Sequence, residues 1–288
     1  SRGLGDVYKR QGKTTVIKVL TGILSMSAGA GSVAGADLTH LGKAIKRRIG
    51  YMSQQFSLYT DLTVTETILL YAGIYGLRRA ERRRRCDWIV EMAGLHGEED
   101  ERTSDLPVGM RQRLALGCAL VHKPRVLFLD EPTSGIDPIG RQQFWNILFQ
   151  LSRDEGVTVL VTTHYMSEAE HCDHIVLMHS GRVVADASPA TLKAGVEKEA
   201  GIVLEIDAAD PNDAIDRLTA GGFDAPAMFG RHIHVLSRAV GSDTERIKTL
   251  LGVGDGAVNA RSLTMDDVFV HRIRALEDRA RAGQGANP

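Results

Sequence analysis

The chain lacks net charge, long apolar runs and any clustering of cysteine. Over 288 residues, 35 Lys and Arg meet 36 Asp and Glu for a formal charge of −1. Such a balance gives no broad field for a polyanion, so nucleic acid is not expected as the main partner. The longest apolar stretches are broken by Gly, Thr or charge. That argues against a membrane-spanning helix and leaves any membrane role to a partner. Cys86, Cys118 and Cys172 are scattered and lack metal-ligand spacing. They read as reduced thiols of a cytosolic protein. The length suits one large α/β domain plus a smaller one.

What the chain does have is concentrated in Val126-Leu127-Phe128-Leu129-Asp130-Glu131-Pro132-Thr133-Ser134-Gly135-Ile136-Asp137-Pro138. The four apolar residues read as a buried parallel strand. Asp130 and Glu131 then fall at its carboxyl end, where open α/β sheets place their ligands. One acid there suits Mg²⁺, and the next suits a water that attacks phosphate.

Upstream, Gly12-Lys13-Thr14-Thr15 runs into Val16-Ile17-Lys18-Val19-Leu20. This reads as the second half of a phosphate-binding loop entering a helix. Gly12 lets the backbone approach phosphate, and the helix start aims amides at it. Lys13 supplies a cation and Thr14 a Mg²⁺ ligand. The full loop needs a glycine at the position of Val7, and Gly5 is out of register. The amide nest around a β-phosphate is therefore incomplete. Asp6-Val7-Tyr8-Lys9-Arg10-Gln11 back-translates to GAT GTG TAT AAG AGA CAG, which resembles a transposon-end adapter. Residues 1–11 are accordingly expected to be non-native, with the natural sequence starting near Gly12. A divergent but real loop is the alternative.

In order and wording these segments resemble the Walker A, Walker B and D-loop of the ATP-binding cassette (ABC) ATPases. Further phrases carry the resemblance along the chain. Arg47-Arg48-Ile49-Gly50-Tyr51-Met52-Ser53-Gln54, followed by Phe56-Ser57-Leu58-Tyr59-Thr60-Asp61-Leu62-Thr63-Val64, is similar to a Q-loop. Leu106-Pro107-Val108-Gly109-Met110-Arg111-Gln112-Arg113-Leu114 stands where the family has its signature. Gly109 is kept there, but Pro107 replaces the serine and Val108 the first glycine. Thr162-Thr163-His164-Tyr165-Met166-Ser167-Glu168-Ala169-Glu170 resembles the H-switch phrase.

The resemblance implies a P-loop NTPase core of α/β class over residues 12–200, with a helical subdomain at about 56–116. It implies ATP and Mg²⁺ as cofactors. Gly12, Lys13, Thr14, Thr15 and Gln54 would hold nucleotide, while Thr14, Gln54 and Asp130 would hold the metal. Glu131 and His164 would be catalytic. Pro107, Val108, Gly109, Met110, Ser134, Gly135 and Asp137 would face a second cassette, fused upstream or supplied by a homodimer. Proline has neither hydroxyl nor N–H, so this signature should complete a partner's site poorly.

Within the family the phrases are most like bacterial ABC-2 type exporters, and in particular the second cassette of tandem two-cassette subunits. The function implied is an ATPase that energises export through a separate ABC-2 type permease, peripheral on the inner face of the cell membrane. Two alternatives stay open: a soluble tandem-cassette ATPase acting on ribosomes or another assembly, and a truncated fragment with impaired ATP binding.

Other features read more plainly. Arg78 to Arg85 holds six arginines and one glutamate and reads as a solvated helix face. A surface facing acidic groups of a membrane partner is the alternative. Thr63 or Thr65 would cap the first helix of the subdomain. Residues 201–275 read as a small α+β module of βαββαβ pattern. Asp210, Asp213 and Asp216, and likewise His232 and His234, read as solvated rather than metal-binding. Residues 276–288 read as a disordered tail.

Overall fold

The computed structural model describes residues 12–40, 43–54 and 58–284. The segment 1–11, with Val7 and the adapter-like hexapeptide, lies outside them, as do Phe56 and Ser57. The described chain divides after His164 into two compact units, residues 12–164 and residues 165–284.

The first unit is built on a parallel sheet of order β3-β4-β5, comprising Ile49–Met52, Val126–Asp130 and Thr158–Thr162. β4 is buried along nearly its whole length, as its unbroken apolar run requires of a central parallel strand. Its register places Leu129 beside Val161 and Asp130 beside Thr162. Helix α1 (Lys13–Leu20) enters from Gly12, whose φ of 89° is open only to glycine at low cost. A short antiparallel pair, β1 (Ser32–Val33) and β2 (Ala36–Asp37), and the four-residue α2 (Lys43–Lys46) precede β3.

Three helices form the subdomain: α3 (Val64–Ile74), α4 (Arg79–Ala93) and α5 (Val108–Leu120). Thr63 caps α3 in a reciprocal capping box with Glu66, so Thr63, not Thr65, is the cap. Val64, Ile68, Ile89, Leu95, Leu114 and Cys118 form the core between these helices. Gly117 permits a close crossing of α4 and α5: a Cβ there would lie 2.3 Å from Ile89 Cγ2.

The arginine run is not uniformly solvated. Arg85 is 6% exposed, and its guanidinium donates to the carbonyls of Leu120 (2.7 Å) and Val121 (2.9 Å). It thereby adds a charged donor at the carboxyl end of α5, where the Leu120 carbonyl also accepts from the Lys123 amide at 3.0 Å. Helix α6 (Pro138–Arg153) follows β4, with Asp137 as N-cap and Pro138 in its first turn.

In the second unit, α7 (Met166–Ala169) leads to the hairpin β6 (Ile175–His179) and β7 (Arg182–Ala187), then α8 (Pro189–Ala200). The module follows as β8 (Ile202–Asp207), α9 (Pro211–Ala220), β9 (Ala227–Phe229), β10 (His232–Ser237), α10 (Val240–Leu251) and β11 (Val258–Arg261). Its antiparallel sheet has order β11-β8-β10-β9. Leu204, Ile206, Ile233 and Val235 pack with Leu218 and Ile247 of the two helices.

A final helix, α11 (Met265–Gln284), shares a core with the hairpin and α8 through Leu177, Leu192, Val196, Met265 and Val268. This shared core is why the hairpin and α8 belong with the C-terminal module. The ATPase domain expected from the sequence, by contrast, extends to residue 200.

Two other expectations change here. Where a tail was expected from 276, α11 continues through Gln284 on a run of helix-forming Ala and Arg; 285–288 lie outside the described residues. His234 is not solvated either. It is 8% exposed, with Nδ1 2.9 Å from Asp267 Oδ1 and Nε2 3.1 Å from Glu205 Oε2, because α11 covers that side of the sheet. Burial raises the Asp267 carboxyl, but hydrogen bonds from His234, Thr264 and Arg261 outweigh it and hold that group well below the usual carboxylate range. Asp210 caps α9, and Asp213 pairs with Arg217 on its exposed face.

Candidate active site

The first unit gathers six of the sequence-selected side chains at the carboxyl end of its parallel sheet. Lys13 and Thr14 come from the first turn of α1, Asp130 and Glu131 from the end of β4, and His164 from just past β5. Gln54 stands two residues beyond β3.

Thr14 Oγ1 donates to Asp130 Oδ1 at 3.2 Å. Asp130 is 1% exposed, a buried carboxylate held by hydroxyl donors. Lys13 Nζ donates to the Thr163 carbonyl at 2.9 Å. Burial lowers the Lys13 pKa, although Glu131 and Asp130 pull it upward. The ammonium is thus partly desolvated and stands before two carboxylates.

Glu131 is the centre of the arrangement. Its Oε2 accepts from Gln54 Nε2 at 2.9 Å and lies 3.3 Å from His164 Nδ1. The Glu131 backbone has φ +50°, a left-handed conformation that costs a non-glycine residue strain. Its N–H is held by the Thr162 carbonyl at 3.0 Å and by Thr162 Oγ1 at 3.2 Å. Thr162 was not selected from the sequence, where it is one more β-branched residue of a strand. Only the pairing register brings it to Asp130.

The remaining candidates lie elsewhere in the unit. Thr15 is exposed on α1. Pro107 occupies the N-cap position of α5 without a side-chain hydrogen bond, and Val108, Gly109 and Met110 form the first turn. Ser134 and Gly135 lie in the turn after Glu131, and Ile136 comes close to Gly109: a Cβ on that glycine would meet Ile136 Cγ2 at 3.6 Å. Asp137 Oδ1 accepts from the Ile139 and Gly140 amides, and those bonds lower its pKa.

A hydroxyl and a carboxylate are hard oxygen donors of the kind Mg²⁺ takes. That ion binds through one or two protein oxygens plus phosphate rather than an all-protein cage. Among the described residues no cluster of three His, Cys, Asp or Glu side chains could hold a metal alone. No described helix is long and apolar enough to cross a membrane.

Comparison with known proteins points one way. The family described as ABC transporter matches residues 11–134. An Escherichia coli protein named "Probable multidrug ABC transporter ATP-binding protein YbhF" is 43% identical over 183 residues, 64% of this chain and 32% of that protein. A "Nod factor export ATP-binding protein I" of Burkholderia lata is 33% identical over 272 residues, 93% of this chain and 82% of that protein. The chain thus spans about a third of the first relative's length. Among solved structures, cbiO1 from Clostridium perfringens, part of the ABC transporter complex cbiONQ, superposes with a TM-score of 0.60 at 27% identity. That match covers 66% of this chain and 80% of the other.

Proposed function

The chain belongs to the ABC transporter ATPases, and from that premise we propose that it is the ATP-hydrolysing subunit that energises export through a separate ABC-2 type permease. The observation that carries the reading is the convergence on Glu131: Gln54 and His164 reach the same carboxylate oxygen from different loops. Bound Mg²⁺·ATP supplies the scissile phosphoanhydride and the cation that offsets its charge. Thr14 Oγ1 and Asp130 are the oxygens offered to that cation. Lys13 gives up its carbonyl contact for phosphate oxygens. Glu131 orients the attacking water and takes its proton, with Gln54 and His164 fixing the carboxylate.

A second cassette would complete the site, whether fused upstream or supplied as a homodimer. The surface this chain offers to it comprises Pro107–Met110, Ser134, Gly135 and Asp137. Contact with the permease is supported by the helical subdomain. A groove of about 980 Å³ there is lined by Leu69 and Leu77, by Arg78, Arg79, Arg82 and Arg83, and by Asp87 and Glu99; the arginines outnumber the acids, which suits a partner segment with acidic groups. The chain would then sit on the inner face of the cell membrane through that partner.

The test is Glu131→Gln in the full-length protein. It should retain ATP and stop turnover; unchanged steady-state hydrolysis removes Glu131 from this role. Recovery with a detergent-solubilised permease supports export, and recovery with ribosomes overturns it.

A further inference from the structure

We propose that Thr162 is a positioning residue that ties the metal-side carboxylate Asp130 to the backbone of the catalytic Glu131. The inference rests on the roles given to those two acids above.

Thr162 ends β5, and the parallel register sets it directly beside Asp130. Its Oγ1 lies 2.6 Å from Asp130 Oδ1 and 3.2 Å from the Glu131 nitrogen. Chemistry settles both directions. A backbone N–H only donates, so the hydroxyl oxygen accepts from Glu131 and its single proton goes to Asp130 Oδ1. One hydroxyl therefore fixes where the metal-side oxygen points and helps hold the next peptide in its φ +50° conformation. Thr14 Oγ1 reaches the same Asp130 oxygen from the phosphate side. The two threonines bracket Asp130, one next to the phosphates and one next to the hydrolytic carboxylate.

A purely structural threonine would tolerate valine, which keeps the β-branched shape and loses only the hydroxyl. The position is tested with Thr162→Val and Thr162→Ser in the full chain. Mn²⁺ binding in the presence of ADP is followed by its EPR signal. Thr162→Val should weaken Mn²⁺ by about tenfold, the usual scale for losing a partner of a metal ligand. Thr162→Ser, which keeps the hydroxyl, should stay close to the parent. In turnover, Thr162→Val should lower kcat and leave the KM for ATP unchanged. Without nucleotide, amide exchange at Glu131 should quicken several-fold in Thr162→Val and not in Thr162→Ser.

Parental Mn²⁺ affinity and parental exchange in Thr162→Val overturn the proposal. So does a Thr162→Ser chain as impaired as Thr162→Val. If the parent binds neither ADP nor Mn²⁺, the ATPase reading falls, while the exchange measurement still decides the place of Thr162.

Discussion

Gln54 Nε2 donates to Glu131 Oε2 at 2.9 Å, joining two loops 77 residues apart in sequence. The contact places a neutral donor against the carboxylate proposed above to act on water. Gln54→Glu replaces that donor with a second carboxylate at hydrogen-bond distance, where two negative charges do not both persist without cost. Hydrolysis at pH 7 should fall on the order of tenfold, equivalent to about 1.4 kcal/mol of barrier. Part of the loss should return as the pH is lowered and the two carboxylates come to share a proton. Gln54→Leu removes the donor without adding charge, so its loss should not vary with pH in that way. Steady-state rates against pH for the three proteins check this. Parallel profiles for the two variants would show that Gln54 acts elsewhere.

The polar ends of the parallel strands were legible because each is announced by residue type. An apolar run breaks into Asp130-Glu131, a β-branched run breaks at His164, and a glycine precedes Lys13-Thr14 at a helix start. Thr162 was not legible, since its role depends on which strand lies beside it and in which register. Arg85 and His234 were misread for a related reason. Composition marks a charged residue as solvated, and only the fold shows that Arg85 meets the carbonyls ending α5 or that α11 closes over His234. The strand Ala227–Phe229 is three residues long, so the expected βαββαβ pattern leaves a place for it that no alternation marks.

His122 links the subdomain to the strand that leads to Gln54. Its Nε2 bonds the Ile49 carbonyl at 2.9 Å, and its ring stacks on Tyr75 with centroids 3.7 Å apart. Nδ1 is buried without a hydrogen-bond partner among the described residues. Burial lowers the His122 pKa, and the Arg85 charge adds to that, against the bond to Ile49. The folded pKa lies below the unfolded one, near 6.5. Above that pH neither state carries the proton, and the group does not affect stability. As pH falls through it, the unfolded chain protonates first and stability is lost. His122→Gln keeps a donor for Ile49 but does not titrate. Between pH 7 and 5 its melting temperature should fall less than that of the parent. An equal fall in both would remove His122 as a source of acid sensitivity.

Pro107 holds the N-cap position of α5 with no side chain to satisfy the first amides of the helix. Its φ of −54° and ψ of 152° are values that serine adopts freely, so Pro107→Ser requires no change in the chain path. A serine hydroxyl there can accept from the amide of Gly109 or Met110, and caps of this kind stabilise by about 1 kcal/mol. Part of that gain is offset because serine leaves the unfolded chain more freedom than proline does. The net change in urea unfolding should be small. A larger effect is expected where a second cassette is bound, because the substitution adds a hydroxyl and an N–H that Pro107 does not have. If the α5 terminus closes on nucleotide held by a second cassette, Pro107→Ser should raise ATP-dependent association of the cassettes and turnover at the facing site. The Lys13 site of the same chain should be unaffected. Single-site nucleotide trapping, with Glu131→Gln silencing one site at a time, separates the two. If neither association nor the facing site responds, the terminus of α5 is not what limits that site.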